Sequence, residues 1–535
     1  MRITLPALFA GVLFATAPVF AAPCVSLTAL KLPATTITAA EVVPAGAFRP
    51  PTADARALPA DELRAFEHLP AFCRVQGVIA PSSDSHIEFE VWMPVSAWNG
   101  KYLGVGNGGY AGSITYGEPG VGNDATLQSA VMAGYASSST DTGHEAASSS
   151  DGKWALGHRE KIIDYGYRAV HETAERAKAI IRAFYRRAPA HSYFDSCSNG
   201  GRQGLMEAQR YPADYDGVIA GAPAAAMTHL AAGFGEWVIQ ATEKDPTSYI
   251  PANKWPAVQA AVLAQCDAID GLKDGLIEDP RRCDFKPSVL LCPGPESPSC
   301  LTAPQITALE KLYAGPRDSQ DRQISPGLVP GGEAGGPIGW AVAVSGHAPG
   351  QSAIDHLLQG WADLVQNPDR DWLTADVEHE VDRDDAAVGH ILNATNPDLT
   401  AFEGRGGKLI LFQGWSDPLV SPLATVNYYE SVVTRMSRAN AERFTRLYMV
   451  PGMPHCFGGS GPNTFGTTML TALQHWVEKG VAPQAIIATK YRTNGDPASG
   501  IVLSRPLFPY PEVARYQGTG STDVAANFAC GAPPL

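Results

Sequence analysis

Apolar and polar positions alternate from His86 to Met93, with Ile87, Phe89 and Val91 on one side and Glu88 and Glu90 on the other, the period-two pattern of a strand with one buried face. A second strand is expected at Lys101 to Val105, running into the turn Gly106-Asn107-Gly108-Gly109, and a third at Tyr135 to Ser138. The period then lengthens. Ile162, Ile163, Tyr167, Val170, Ala177 and Ile181 recur at helical spacing and predict one long amphipathic helix from Glu160 to Arg186. Strand-like runs return at Lys408 to Phe412 and Phe444 to Val450, and strands alternating with helices predict an α/β sheet. Between the two halves of this pattern, residues 226–396 hold several Gly/Pro breaks and little alternation, and read as a lid inserted into a core formed by 22–225 and 397–535. No internal repeat at a fixed period is present.

The chain has 535 residues, 45% of them hydrophobic and 18% charged, the balance of a globular protein. Its formal net charge of -14 excludes a nucleic-acid groove, which needs clustered Lys and Arg. Met1-Arg2, the apolar run from Leu5 to Ala17 and the small-residue site Val19-Phe20-Ala21 are expected to form a secretory signal peptide over 1–21. That run is shorter than a bilayer span and nothing later is as long and uncharged, so no membrane-spanning segment is expected. Export, to the periplasm or beyond the cell, places nine cysteines where pairing is the default. Cys266 with Cys283 and Cys292 with Cys300 are local enough for short staples. Cys24 with Cys73 and Cys197 with Cys456 are longer-range candidates, leaving Cys530 over.

Chemistry concentrates where the strands end. His191 to Asp195 leads into Ser196-Cys197-Ser198-Asn199-Gly200-Gly201, and Arg202 to Tyr211 is helix-like, so Ser198 falls on a strand-turn-helix junction that suits an exposed nucleophile. Ser196 stands where the usual GxSxG pattern has Gly, and taken alone the motif fits an ordinary turn serine equally well. Two later positions change the balance. Asp417 follows the strand at Lys408 to Phe412, and His455 follows the strand at Phe444 to Val450. The order Ser, Asp, His, each after a strand, is that of the α/β-hydrolase fold. His455 is then the base for Ser198, and Asp417 orients the imidazole. A turn-forming Asp before Pro418 and a loop His are the plainer alternatives.

The Asn199 N–H, next after the nucleophile, and an N–H of Gly108 or Gly109 are candidates for an oxyanion hole, although the two glycines also fit a simple turn. Cys197 and Cys456 flank Ser198 and His455, so a bridge between them is plausible if the two catalytic candidates meet; two buried thiols are the alternative. In the inserted region, Asp267, Asp270 and Asp274 crowd one short loop with Gly271 and Gly275, bracketed by Cys266 and Cys283. Carboxylates so close repel unless a cation lies among them, and hard oxygen donors suit Ca²⁺. An EF-hand does not fit, because counting from Asp267 the sixth position is Leu272 where Gly is required. A solvated acidic turn does.

These residues together resemble the tannase and feruloyl esterase family, which includes bacterial terephthalate-monoester hydrolases. Cys197-Ser198, Asp417 and His455-Cys456 look like that family's disulfide-linked triad. The similarity extends to Ser198-Asn199-Gly200-Gly201-Arg202-Gln203, Gly407-Lys408-Leu409-Ile410 and Pro451-Gly452-Met453. The resemblance implies an α/β-hydrolase fold with a large lid, and a structural calcium in that lid held by the three Asp side chains and the carbonyls of Leu272 and Leu276. It also implies a small aromatic ester as substrate. Trp340, Trp361 and Trp372 are candidate aromatic walls, each equally suited to a core. From Gln323 to Asp369 there is no Lys or Arg for a free substrate carboxylate, which disfavours a terephthalate monoester unless Arg370, or His347 and His356 at low pH, reach the pocket. A non-catalytic binding protein and a serine peptidase are the rival readings.

Overall fold

The computed structural model describes residues 21–51, 64–117, 123–336 and 338–533, so the expected signal peptide lies, but for Ala21, outside the described residues. A nine-stranded mixed sheet runs through the molecule. Its strands are β1 (Thr35–Val43), β2 (Phe72–Ile79), β3 (Ile87–Pro94), β4 (Lys101–Val105), β5 (Ala136–Thr140), β6 (His191–Cys197), β7 (Gly217–Gly221), β8 (Lys408–Gly414) and β9 (Thr445–Val450). Their spatial order is β1-β2-β3-β5-β4-β6-β7-β8-β9. β1, β2, β3 and β5 pair antiparallel, and β5, β4, β6, β7, β8 and β9 pair parallel. The parallel strands are covered on both faces. β8 accordingly reads Leu409-Ile410-Leu411-Phe412 without alternation, every one of these side chains buried.

Two local expectations need correction. Glu90 is not on a wet face of β3: it is 1% exposed, and its carboxylate accepts from Arg74 Nε at 2.8 Å, Trp92 Nε1 at 2.6 Å and the Tyr116 hydroxyl at 2.8 Å. A paired charge can sit where the alternation looked amphipathic. The helix expected over 160–186 is interrupted. A short turn at Arg159–Ile163 passes into a π-helical turn, Asp164–Arg168, before the regular helix α1 (Ala169–Tyr185). Within the π turn the carbonyls of Tyr165 and Gly166 accept from the guanidinium of Arg202, at 3.1 and 2.7 Å, so a partner from another element sustains the wider turn.

Between β7 and β8 the chain leaves the sheet and forms helices at Glu236–Glu243, Trp255–Cys266, Ala303–Ala314, Ala353–Leu364 and Val377–Asp384. They enclose an apolar cluster of their own, including Val238, Trp255, Leu309, Trp340 and Leu358. Arg370 is buried beside it, with Glu236, Glu380 and Asp384 at 2.5, 3.1 and 2.7 Å. Among the described residues no helix is long and apolar enough to cross a membrane.

Candidate active site

β6 ends at Cys197 and the helix α2 (Asn199–Arg210) begins at once, leaving Ser198 alone at the bend with φ of 65°. That left-handed backbone is costly for a residue with a Cβ and is held by what packs around it. A Cβ on Gly200 would lie 1.9 Å from Ser196 Oγ, and one on Gly201 would lie 2.2 Å from the Gly221 carbonyl. The departure from Gly at position 196 is thereby explained: the Ser196 side chain occupies the room that Gly200 leaves.

β8 and β9 deliver the other two groups. A Cβ on Gly414 would stand 2.1 Å from the Met453 carbonyl, so glycine lets the β9 loop cross the end of β8 and bring His455 over Asp417. His455 Nδ1 lies 2.7 Å from Asp417 Oδ2, and His455 Nε2 lies 2.8 Å from Ser198 Oγ. Asp417 is 1% exposed and fully engaged: Oδ1 accepts from the N–H groups of Leu419 and Val420, each at 2.9 Å, and Oδ2 also accepts from Gln413 Nε2 at 2.8 Å. An unbroken chain of hydrogen bonds thus links a buried carboxylate through an imidazole to an exposed-edge hydroxyl, the arrangement that lets a serine be deprotonated as it attacks.

All four cysteine pairs anticipated from the sequence are disulfides: Cys24–Cys73, Cys197–Cys456, Cys266–Cys283 and Cys292–Cys300. Cys530 is free and exposed. The Cys197–Cys456 bridge, with Cα atoms 6.0 Å apart, ties the residue before Ser198 to the residue after His455.

Ser198 and His455 open onto a cavity of about 80 Å³ lined by Gly109, Tyr110, Asn199 and a set of apolar side chains that includes Met227, Phe234 and Leu358. Gly109, not Gly108, lines it. A Cβ at Gly109 would lie 2.1 Å from the Ser149 carbonyl, so only glycine fits that turn. Among the described residues nothing accepts a hydrogen bond from the Gly109 N–H, and the Asn199 N–H begins a helix and has no partner within it. The three tryptophans do not wall the cavity. Trp340 and Trp361 are buried in separate cores, Trp361 donating to Asp384 at 2.7 Å, and Trp372 packs on the insertion's core. Arg370 is sealed among its three carboxylates, and His347 and His356 are exposed elsewhere, so no Lys or Arg is found among the described lining residues.

In the acidic loop each Asp is shaped by backbone donors. Asp267 accepts from Gly275 N–H at 3.0 Å, Asp270 from Leu272 at 3.0 Å and Glu278 at 3.2 Å, and Asp274 from Leu276 at 3.2 Å. Burial, with the charges of Asp274 and Asp267 adding to it, pushes the Asp270 carboxyl up to about 6. Among the described residues nothing donates to the carbonyls of Leu272 and Leu276. The three carboxylates are not all within 4.8 Å of one another, and their oxygens are engaged by the loop's own backbone donors. Arg505 draws Asp274 aside, at 2.7 Å. Only His171, Glu207 and Asp214 meet that 4.8 Å spacing among the described residues. There the Lys178 ammonium, 3.5 Å from Asp214, already supplies the positive charge, and burial next to Asp214 holds the Glu207 carboxyl well above its ordinary range.

A family model described as tannase and feruloyl esterase matches residues 73–531. The chain belongs to this family. An esterase of Xanthomonas campestris pv. campestris is 42% identical over 99% of this chain and 95% of its own length. The mono(2-hydroxyethyl) terephthalate hydrolase of Piscinibacter sakaiensis is 34% identical, covering 93% of this chain and 89% of that protein. The crystal structure of feruloyl esterase B from Aspergillus oryzae superposes with a TM-score of 0.82 at 28% identity, over 95% of this chain and 99% of that one. The protein is a carboxylic ester hydrolase of the α/β-hydrolase fold, which removes the non-catalytic reading.

Several residues around this tannase-family site escape the sequence patterns. Gln413 holds Asp417 and is itself held by the Thr425 hydroxyl at 2.8 Å. Asn123 donates to the carbonyls of Cys456 and Asn463, each at 3.1 Å, and fixes the loop that carries His455. A Gln closing an apolar strand was a visible signal for the first; Asn123 gave none.

Proposed function

We propose that the protein is an exported serine esterase that cleaves esters of uncharged aromatic acids through an acyl-enzyme at Ser198. The observation that carries this is the Asp417–His455–Ser198 hydrogen-bond chain at the mouth of an apolar cavity. His455 Nε2 takes the Ser198 proton as Oγ attacks the ester carbonyl carbon, and the imidazolium is steadied by Asp417. The oxyanion is received by the N–H groups of Asn199 and Gly109. His455 then returns its proton to the departing alcohol oxygen, and water, activated by the same imidazole, releases the acid and restores the hydroxyl. Four disulfides and the expected leader support a periplasmic or extracellular site of action.

Tyr110 and Phe234 offer the aromatic faces of the acyl pocket, in place of the tryptophans. A terephthalate monoester would bring a carboxylate into this pocket without a cation to meet it, at a cost of several kcal/mol. In a panel of methyl ferulate, a galloyl ester, a terephthalate monoester and a peptide anilide, the uncharged aromatic esters are expected to show kcat/KM about 100-fold above the monoester. The anilide should be inert. Preference for the monoester would overturn the substrate assignment and align this chain with its 34% identical relative.

The acidic loop is proposed to hold a structural Ca²⁺ through Asp267, Asp270, Asp274 and the carbonyls of Leu272 and Leu276, where it would neutralise the crowded carboxylates. Chelation is expected to lower the melting temperature and excess calcium to restore it, since an ion at 100 times its Kd stabilises by about 2.7 kcal/mol. Turnover at temperatures below the transition should change less. Unaltered melting and calcium content in Asp270→Ala would reduce the loop to an acidic turn.

A further inference from the structure

The two N–H groups assigned to the oxyanion come from segments far apart in sequence. Gln203 of α2 ties the segments at Asn107, whose N–H donates to its side chain at 3.0 Å, and Tyr165 contacts Gly109 and Asn199 themselves. The hydroxyl of Tyr165, at the start of the π turn, lies 3.0 Å from the Gly109 carbonyl and 3.0 Å from Asn199 Oδ1. A phenol has one proton, so the two acceptors share it. The orientation of the Asn199 amide is set from both ends: Oδ1 also accepts from Arg202 Nε at 2.8 Å, and Nδ2 donates to the Asn107 carbonyl at 3.2 Å. Asn107 belongs to the same Gly-rich turn as Gly109.

Tyr165 is itself held firmly. It is 1% exposed, its ring lies under the Arg202 guanidinium and edge-on to Tyr110, and its own carbonyl accepts from Arg202. Burial raises the phenol to about 12, which keeps the proton in place at any working pH. Gly166 allows the π turn to approach, since a Cβ there would stand 2.5 Å from Ile391 Cγ2. Arg202 is fully buried and its hydrogen bonds run to Asn199 Oδ1 and the carbonyls of Tyr165, Gly166 and Leu392, which leaves a positive charge behind the first turn of α2.

We propose that Tyr165 is a positioning residue for the oxyanion hole, its hydroxyl tying the Gly109 turn to the Asn199 side chain so that the two N–H donors keep one spacing as charge develops on the substrate. The proposal rests on the reading of Ser198 as nucleophile. A brace of this kind acts in the transition state and not on ground-state binding, so its loss lowers kcat and leaves KM in place.

Tyr165→Phe keeps the ring and removes the tie. Its kcat is expected to fall about tenfold with KM within twofold of the parent, and an aryl boronic acid, which forms a tetrahedral adduct on serine, should bind more weakly by a similar factor. Binding of the product acid should not change. Asn199→Ala, which keeps the backbone donor, should show the same fall, and the double variant no more than either. Additive losses, or boronate affinity unchanged in Tyr165→Phe, would show the hydroxyl to be packing alone. Failure is separable from failure of the parent reading: an inactive Ser198→Ala beside a fully active Tyr165→Phe rejects only the brace, whereas an active Ser198→Ala rejects the nucleophile.

Discussion

Ser198→Ala is expected to lower kcat/KM by about five to six orders of magnitude while the protein stays folded, because a triad acts as one unit and loses nearly everything with its nucleophile. The substitution is structurally mild. Alanine retains the Cβ, so the strain of φ near 65° is the same before and after, and the only hydrogen bond lost is the 2.8 Å contact with His455 Nε2. No buried donor is orphaned, since the serine edge of the imidazole faces the cavity and water can replace the hydroxyl there. The variant should therefore match the parent in melting temperature within about 2 °C, as surface-like changes do. Turnover within tenfold of the parent would remove Ser198 from the mechanism.

The largest stability effect should come from Cys197 and Cys456. Their bridge closes a loop with a sequence separation of 259 residues. Chain entropy alone then gives about 5 kcal/mol, a ceiling that residual structure in the unfolded chain reduces. Spread over the unfolding entropy of a chain this long, that is a fall of roughly 5 °C for the double Ala variant. Activity should fall as well, by about 10 to 100-fold, because the bridged residues adjoin nucleophile and base and small misplacements of either are expensive. Asn123 and Asp417 still hold the His455 loop, so loss should stop short of that in Ser198→Ala. Unchanged melting and turnover in the double variant, or free thiols at both positions in the native protein, would contradict the clamp.

That Ser198, Asp417 and His455 could meet was legible in the sequence because each lies within a few residues of the end of a parallel strand, and the clearest of these, Leu409 to Phe412 in β8, has no competing pattern. Two disulfides, Cys266–Cys283 and Cys292–Cys300, followed from short spacing and Cys197–Cys456 from its catalytic neighbours, whereas nothing local marked Cys24–Cys73. What was not legible depends on contacts across long stretches of chain. Glu90 looked solvent-facing because its partner Arg74 lies on the adjacent strand β2. Trp255–Cys266 shows no stripe because its exposed positions include Ala260 and Ala264, which count as apolar wherever they sit. The π turn at Asp164–Arg168 reads in the sequence as ordinary helix, Tyr167 included; its widening depends on Arg202, from α2, which no local pattern announces. The tryptophans stayed undecided for a related reason, since a large apolar ring serves a core as readily as a pocket, and only packing separates the two.

The central claim is that an acyl group passes through Ser198. Incubating the protein with an aryl phosphonate ester that mimics the acyl transfer step, then mapping the adduct by peptide mass spectrometry, tests it most directly. The account predicts one phosphonyl group per chain, carried on Ser198 of the Ser196-Cys197-Ser198-Asn199 segment, with activity lost in proportion to labelling and no adduct in Ser198→Ala. An adduct on any other residue that tracks the loss of activity, or full esterase activity with Ser198 quantitatively labelled, would contradict it.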